Sequence, residues 1–240
     1  MVLQSVIRTI YPPQCLTCEA RVIDDHALCG ACWRDTPFIT GLVCDRCGAP
    51  LPGDAAEAPA TCDDCLALAR PWTRGRAAVI YDGGGRDLVL ALKHRDRQDL
   101  AVPMARWMLA AAAPILAKGM LVVPVPLHPL RFLRRRGNQA ALLASGVARG
   151  AGLTHCPDLL VRARRTPTQE GRDREERFAN VVGAVAPHPR RAARAAGRAV
   201  LLVDDVMTSG ATLAGAAEAC LAAGAAEVRV LAFARVARRA

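Results

Sequence analysis

Two adjacent aspartates stand between an apolar run and a group of small hydroxyl residues in the stretch VLLVDDVMTSGATL, residues 200–213. The apolar run, 199–203, has the length and branching of a buried parallel strand. The alanine-rich stretch 211–225 predicts a helix that closes at Gly224. In an open α/β sheet, the turn between such a strand and helix lies at the carboxyl edge, where ligands bind. The chemistry of this turn therefore indicates what the protein binds.

The turn offers two opposite kinds of binding group. Residues 208–212 would place unpaired backbone N–H groups and short hydroxyls at a helix N-terminus, which suits a dianionic phosphate. Asp204 and Asp205 would repel that phosphate, and they suit sugar hydroxyls or a magnesium ion beside it. A phosphate joined to a sugar with free hydroxyls meets both demands.

The aspartate pair has two other interpretations, a solvated cap and a phosphoacceptor receiver domain. A receiver pair lies near the start of its domain, whereas only thirty-five residues follow Asp205. A P-loop is excluded because the sequence has no GxxxxGK[ST]. Because all residues of the turn fit a sugar phosphate, we favour this interpretation over a solvated cap.

Eight of the ten cysteines form four CxxC pairs between residues 15 and 65. Two such pairs supply four thiolates around one tetrahedral zinc, so the pattern predicts two structural zinc ions. Pairing in chain order and an interleaved pairing both stay open, and a redox role is weakened because no thioredoxin-like βαβ pattern lies nearby. Cys156 and Cys220 are expected to be small buried hydrophobic residues. The predicted zinc ligands are Cys15, Cys18, Cys29, Cys32, Cys44, Cys47, Cys62 and Cys65.

Composition and charge divide the chain of 240 residues into two parts. Residues 1–70 carry a net charge of −4 and residues 71–240 carry +14, so we predict a cysteine-rich ribbon region followed by a basic α/β domain. The basic domain favours polyanionic partners such as pyrophosphate or nucleic acid. The N-terminus lacks the apolar core of a signal peptide, and segment 104–125 is interrupted by proline, lysine and glycine. We therefore expect a cytoplasmic protein without a membrane span.

The alternation of predicted strands and helices after residue 70 indicates a mostly parallel sheet. The glycines at 83–85 predict a plain turn, and the alanine-, proline- and arginine-rich stretch 181–197 predicts a mobile loop. Predicted strands lie at 76–81, 120–125, 159–161, 199–203 and 227–234. Predicted helices lie at 86–94, 102–116, 138–150 and 211–225.

Residues 200–212 resemble, at every position, the phosphoribosyl-pyrophosphate (PRPP) signature of type I phosphoribosyltransferases. Within that superfamily the chain resembles the ComF family, whose members join a cysteine-rich ribbon to a phosphoribosyltransferase domain and are associated with natural competence. Matching motifs cover nearly the full length: the CxxC pairs, LKH (92–94), VVPVPLH (122–128), RRRGNQA (134–140), RTPTQ (165–169) and ERFAN (176–180).

The resemblance implies a type I phosphoribosyltransferase-like fold and a role for each matching residue. Asp204 and Asp205 would bind the ribose hydroxyls of Mg·PRPP. The stretch 162–180 matches the mobile flap that closes over PRPP in relatives, and the catalytic group would include Arg165, Gln169 and Arg177 from that flap. The other PRPP-binding residues, in the phosphate loop and the pyrophosphate turn, would be Val206, Met207, Thr208, Ser209, Gly210, Ala211, Thr212, Pro124, Val125, Pro126 and His128.

The resemblance favours a ComF-type protein that binds Mg·PRPP and handles incoming single-stranded DNA during natural transformation, with competence proteins as partners. A metabolic phosphoribosyltransferase acting on a nucleobase or an amine is the alternative. A scaffold that senses PRPP without chemistry is the third hypothesis. The intact signature leans toward an enzyme that carries two structural zinc ions and uses Mg²⁺ with PRPP.

Overall fold

The computed structural model describes residues 11–54, 59–95, 97–127, 137–162 and 183–236. Five of its strands are β1 (Arg74–Ile80), β2 (Leu121–Pro124), β3 (Thr154–His155), β6 (Ala199–Met207) and β7 (Glu227–Arg235). They form one sheet in the order β1-β7-β6-β2-β3, and every neighbouring pair is parallel. A short antiparallel hairpin pairs β4 (Leu160–Arg162) with β5 (Val185–Pro187). The predicted α/β fold with a mostly parallel sheet is confirmed.

Six α-helices accompany the sheet within the described residues. Asp82 caps the helix that follows β1, because its side chain accepts a hydrogen bond from the Gly83 amide. Asn138 caps the helix that follows β2 in the same way, and that helix ends at Gly152 in the left-handed conformation. The helices are α1 (Gly30–Asp35), α2 (Asp63–Ala67), α3 (Gly83–His94), α4 (Ala101–Ala112), α5 (Gln139–Ala151) and α6 (Ala211–Ala222).

The two faces of the sheet are covered differently. Alternate strand residues point to opposite faces, so Val122 and Leu201 pack with α3, α4 and α5 on one face. Val123 and Leu202 point to the other face, where they pack with α6 and with three cysteines of the second pair of CxxC motifs. The segment 43–66, which we call the second ribbon, therefore belongs to the core of the sheet domain.

The segment 11–36, which we call the first ribbon, packs at the edge of the helix-covered face. Leu16 joins the apolar cluster of that face. The ring of Trp33 packs on Phe38, whose ring meets Trp107 of α4 edge-on at 5.3 Å. This ribbon is attached to the sheet domain through apolar contacts and through the close approach of Asp35 and Thr36 to the first turn of α3.

Three local expectations are wrong. The strand predicted at 199–203 continues to Met207, because β7 pairs with it along its whole length, and both aspartates therefore lie inside the strand. The glycines at 83–85 are the first turn of α3, and a Cβ on Gly84 would lie 2.4 Å from Thr36 Oγ1 of the first ribbon. The expected loop at 181–197 holds β5 and a 3₁₀ turn at Ala192–Ala195 in its described part.

Cys156 and Cys220 are fully buried, as predicted. No helix in the described part of the chain is both long enough and apolar enough to span a bilayer.

Candidate functional site

The candidate site lies where the connections of the sheet change direction. From β2 the chain continues to β3 on one side, whereas from β6 it continues to β7 on the other side. The carboxyl ends of β2 and β6 thus open a crevice between them, the usual ligand position in open α/β sheets. Pro124 pairs with Val203, and the Val125 amide donates to the Val203 carbonyl at 2.9 Å. The residues after β2 therefore lie beside the aspartate pair.

The two aspartates differ in their surroundings. Asp205 Oδ2 lies 3.0 Å from the Nζ atom of Lys93, and both side chains are largely buried. Burial and the neighbouring Asp205 charge raise the pKa of Asp204 to about 7, and the Asp205 amide donates to Asp204 Oδ1 at 2.9 Å. Asp205 is thus held by a cation. The raised pKa of Asp204 lets its carboxyl be ionised close to neutral pH, and the ionised carboxylate can bind a hydroxyl or a metal ion.

The segment Thr208, Ser209 and Gly210, which we call the phosphate loop, joins β6 to α6. Gly210 has a φ of +83° and precedes the first residue of α6, whose N-terminus carries no side-chain cap. A Cβ at this position would lie 3.1 Å from the Arg70 guanidinium and 3.1 Å from the Trp72 ring, so the conformation favours glycine and the space for a larger residue is tight. The loop thereby presents the N-terminus of α6 at the crevice, where the Ala211 amide donates to Ser209 Oγ at 3.4 Å.

Three successive carbonyl groups at the loop, those of Met207, Thr208 and Ser209, bond to arginines. Arg235 Nη1 donates to the carbonyl of Met207 at 3.2 Å and to that of Thr208 at 2.6 Å. Arg70 Nη1 donates to the carbonyl of Ser209 at 2.8 Å. In a planar trans peptide the next residue's N–H points opposite to the carbonyl, so the amides of the phosphate loop point away from the arginines. No described residue accepts a hydrogen bond from these three amides.

The structure brings together the predicted residues after β2, the aspartate pair and the phosphate loop. Within this set Met207 and Ala211 are buried, while Val206 and Thr212 are partly exposed. Four predicted residues lie outside the described part of the chain: His128, Arg165, Gln169 and Arg177.

Sequence reasoning missed three side chains of this site. Lys93 belongs to the LKH motif and is one of only two lysines, so its rarity in an arginine-rich chain was the available signal. Arg70 and Arg235 lie far from the loop in sequence, and no local pattern marks them.

The cysteines gather into two clusters in chain order: Cys15, Cys18, Cys29 and Cys32, and Cys44, Cys47, Cys62 and Cys65. The Cys29 amide donates to Cys15 Sγ at 3.2 Å, and the Cys62 amide donates to Cys44 Sγ at 3.4 Å. Although burial acts against it, hydrogen bonds from Thr17 and backbone amides lower the pKa of Cys15 to about 5. In each cluster a backbone amide thus donates to one sulfur, a contact that favours its thiolate form.

The sulfur spacing in both clusters fits zinc. A tetrahedral site with Zn–S bonds of about 2.3 Å needs sulfur atoms roughly 3.8 Å apart. Cys18 Sγ lies 3.6 Å from Cys29 Sγ, and Cys47 Sγ lies 3.7 Å from Cys62 Sγ. All four sulfurs of each cluster lie within 4.8 Å of one another. Each tetrad can close around one structural zinc ion.

Two cysteine tetrads that fit zinc, together with a parallel sheet domain, define a class, the zinc-ribbon proteins with a phosphoribosyltransferase fold. Comparison with known families agrees with this class. Residues 6–66 match the family described as "Double zinc ribbon domain", and residues 138–240 match "Phosphoribosyl transferase domain".

Relatives align with almost the whole chain. The DNA utilization protein YhgH of Salmonella typhimurium is 31% identical over 225 residues, which cover 91% of this chain and 95% of that protein. The protein of the same name from Escherichia coli K12 is 30% identical with the same coverage. Competence protein F of Haemophilus influenzae is 26% identical, covering 92% of this chain and 96% of that protein. The chain belongs to the ComF family.

Proposed function

We propose that the crevice between β2 and β6 binds Mg·PRPP, and that the protein is a ComF-type phosphoribosyltransferase-fold protein that handles single-stranded DNA. One observation carries the PRPP proposal: an acceptor pair and a set of outward-facing amides meet at the switch point of the sheet. A ligand that satisfies both must join an anion to hydroxyl groups.

Each part of the crevice has its own task. The phosphate loop receives the 5′-phosphate on its three amides and on the N-terminus of α6. Asp204 and Asp205 accept hydrogen bonds from the ribose hydroxyls, and Lys93 neutralises the charge of Asp205 beside the incoming anion. The turn at 124–126 lies next to the aspartates and faces the pyrophosphate with its magnesium ion.

A transfer reaction at this site needs little covalent help from the protein. The bond between ribose C1 and the pyrophosphate oxygen breaks, and its electron pair leaves with magnesium pyrophosphate. A new bond forms between C1 and a nitrogen or oxygen of the acceptor, which loses one proton. The described residues contribute by holding the sugar through its diol and its phosphate, away from water.

The central test is ligand-induced stabilisation. At a hundredfold excess over the dissociation constant, Mg·PRPP should stabilise the fold by roughly 2.7 kcal/mol, which raises Tm by about 5–10 °C. Ribose 5-phosphate should compete because it fills both halves of the site, whereas inorganic phosphate should compete poorly.

The double variant Asp204→Asn/Asp205→Asn should bind orders of magnitude more weakly. Asp99→Asn, at an exposed ion pair, is the matched control and should bind normally. An unshifted wild-type melt in millimolar Mg·PRPP contradicts the proposal.

The raised pKa of Asp204 gives the site a characteristic pH dependence. Hydroxyls and Mg²⁺ favour the ionised carboxylate, so the affinity for ribose 5-phosphate should rise as pH increases through about 7 and then level off. Calorimetry in buffers of different ionisation enthalpy counts the proton released on binding. Asp204→Asn should remove that proton and leave only the titration of the ligand's own phosphate. Equal proton release in both proteins would assign the titration to another group.

The DNA proposal rests on charge and on the relatives. Residues 71–240 carry a net charge of +14, and relatives at about 30% identity are named for DNA utilization and competence. Binding of single-stranded DNA should weaken steeply with salt, because each neutralised phosphate releases a counterion, with a slope of about −0.7 per contact. Affinity that is unchanged between 50 and 200 mM salt, roughly the range over which counterion release acts, rules out the basic face.

A screen of nucleobases and amines for pyrophosphate release from PRPP separates the remaining functions. Release with one acceptor supports a metabolic phosphoribosyltransferase. PRPP binding without release for any acceptor supports a protein that uses PRPP as a signal or a structural ligand.

A further inference from the structure

Two arginines join the second zinc tetrad to the phosphate loop. Arg235 Nη2 lies 3.9 Å from Cys47 Sγ, while its Nη1 atom holds two carbonyls at the loop. Arg70 hydrogen-bonds the thiol of Cys65 and also donates to the carbonyl of Ser209. Each guanidinium therefore contacts a predicted zinc ligand on one side and the loop on the other.

We infer that the second zinc tetrad, acting through Arg235 and Arg70, holds the phosphate loop in its anion-binding conformation. The inference rests on the proposed PRPP site, because it assigns the loop amides to a phosphate. Neither arginine touches the ligand, so both are positioning residues.

Peptide geometry explains how carbonyl contacts control amides. The arginines hold three successive carbonyls, of Met207, Thr208 and Ser209, on the ribbon side of the loop. Since each peptide unit is planar and trans, fixing a carbonyl also fixes the direction of the following N–H. Three neighbouring N–H groups are thereby directed to one side and can converge on a single anion. The Val236 amide also donates to the Met207 carbonyl, so without the arginines the two following peptide units could rotate and the donor set would disperse.

Charge explains why a thiolate tetrad suits Arg235. Its side chain is 4% exposed, and among the described residues no carboxylate lies within ion-pair distance. A buried guanidinium needs a negative partner. Four thiolates around one Zn²⁺ carry a net charge of −2, which supplies that partner at Cys47. Loss of the zinc would change both the charge and the geometry that hold Arg235.

The loop has a further contact with the connection to the second ribbon. The Trp72 ring is buried and would lie 3.1 Å from a Cβ on Gly210, and the Arg70 guanidinium lies 5.5 Å from the centre of that ring. The Trp72 indole donates to the carbonyl of Arg46, which lies between Cys44 and Cys47. Movement of the second ribbon would thus reach the loop through packing as well as through the arginines.

The test compares arginine variants by ligand affinity and by loop order. Arg70→Met removes one carbonyl contact from a half-buried position. Arg235→Lys keeps a positive charge but has a single nitrogen, which cannot contact both the loop carbonyls and Cys47 Sγ. Arg229→Met is the matched control, since Arg229 lies on the same strand but bonds Glu227 and the Ile115 carbonyl away from the loop. The readouts are the dissociation constant for ribose 5-phosphate and the ¹⁵N order parameters of residues 208–210.

Both arginine variants should bind ribose 5-phosphate at least about tenfold more weakly than the control. Their loop order parameters should fall from about 0.85 toward 0.6, while the control keeps the wild-type values. Arg70→Lys should restore most of the affinity, because an ammonium can reach one carbonyl; a purely structural role would not predict this rescue. Affinity and order equal to those of the control overturn the inference. If the wild type binds no ribose 5-phosphate, the proposed function fails, yet the order parameters still decide the loop question.

A separate variant tests whether the second zinc ion itself is needed to hold the phosphate loop. Cys62→Ser removes a ligand that contacts neither arginine, so it tests the metal rather than the bridge. It should lose one zinc per chain and reproduce the weak binding and the mobile loop. A loop that stays ordered after this loss overturns the role of the metal.

Linkage supplies a reciprocal check on wild-type protein. If release of the second zinc weakens ribose 5-phosphate binding tenfold, bound ribose 5-phosphate must tighten that zinc by the same factor. In a titration with a zinc chelator, saturating ribose 5-phosphate should therefore delay release of one zinc of the two. Identical release curves with and without ribose 5-phosphate contradict the coupling.

Discussion

The two ribbons share one local design but differ in what lies around it. In each ribbon a short helix begins directly after the third cysteine of the tetrad, Cys29 or Cys62. The amide of that cysteine donates to the sulfur of the first cysteine, Cys15 or Cys44. In the first tetrad Cys18 is exposed and Cys29 and Cys32 are only half-buried. In the second, Cys44 and Cys47 are fully buried in the cluster that contains the sheet residues Val123 and Leu202.

Two metal sites with the same four ligands can therefore support very different amounts of the surrounding structure. The second ribbon covers a face of the sheet that is otherwise left to α6 and the β4–β5 hairpin, so it replaces part of a helix layer. The first ribbon adds to a face that α3, α4 and α5 already cover. We therefore expect the second zinc to support the whole domain, and the first zinc to support mainly its own ribbon.

The largest effect should come from removing one ligand at equivalent positions, Cys62→Ser and Cys29→Ser. Each should lose one of two zinc ions per chain by metal analysis. Cys62→Ser exposes a buried cluster and should lower Tm by about 10 °C or more, whereas Cys29→Ser should lower it by about 3 °C. Cys29→Ser should also keep the wild-type affinity for ribose 5-phosphate. Equal losses of Tm in the two variants would remove the distinction between the ribbons.

The next effect concerns the glycine that turns the second ribbon back on itself. Gly48 has a φ of +69°, and a Cβ there would lie 2.7 Å from the Ala77 amide nitrogen and 2.8 Å from the backbone of Arg76. Gly48→Ala adds backbone strain and forces the ribbon away from β1, so it should cost about 3 kcal/mol in the free energy of unfolding. Gly41→Ala, where a Cβ meets no atom within 4 Å, should cost only the strain. Similar losses at both positions in denaturant unfolding would mean that the ribbon does not press on β1.

How far the sequence could predict the molecule depends on whether the information is local. The CxxC spacing and the aspartates between an apolar run and a helix start are short patterns, and each indicates its chemistry without reference to the rest of the chain. The extension of β6 to Met207 could not be predicted this way. Aspartate is depleted in strands, and only the pairing with β7 overrides that preference at Asp204 and Asp205.

The support of the phosphate loop shows the same limit more strongly. Arg70 is 139 residues from Ser209, and Arg235 is 188 residues from Cys47. In a chain with many arginines, a single arginine carries no signal in the sequence, and its role comes from the fold that brings it to the loop. The same holds for Lys93, whose motif was visible but whose partner Asp205 lies on another element.

A smaller effect should follow from the ion cluster that fastens the second ribbon to β1. Asp45 accepts hydrogen bonds from Arg74 and Arg76, which hold the pKa of Asp45 below its usual range although burial acts to raise it. Asp45→Asn should cost about 1–2 kcal/mol. Since the folded pKa is lowered, this stabilisation is present above the unfolded pKa of about 3.9 and is lost only as pH falls through the folded value. The Tm difference from wild type should therefore stay constant between about pH 5 and 8. A difference that shrinks within that range would assign the titration elsewhere.

The smallest effect should have the opposite sign and lies in the first ribbon. Glu19 has a φ of +63° at the position that corresponds to Gly48, after the second cysteine of the first CxxC pair. It is exposed, so its side chain presses on no strand and only the left-handed backbone carries strain. Glu19→Gly should relieve that strain and stabilise the protein by about 0.5–1 kcal/mol, partly offset by the greater freedom of glycine in the unfolded chain. Glu19→Ala removes the same charge but keeps a Cβ, and it should leave Tm within about 1 °C of wild type. A gain for both variants would trace the effect to charge, and a loss for Glu19→Gly would mean that the first ribbon depends on the Glu19 side chain, unlike the second, whose turn residue is Gly48.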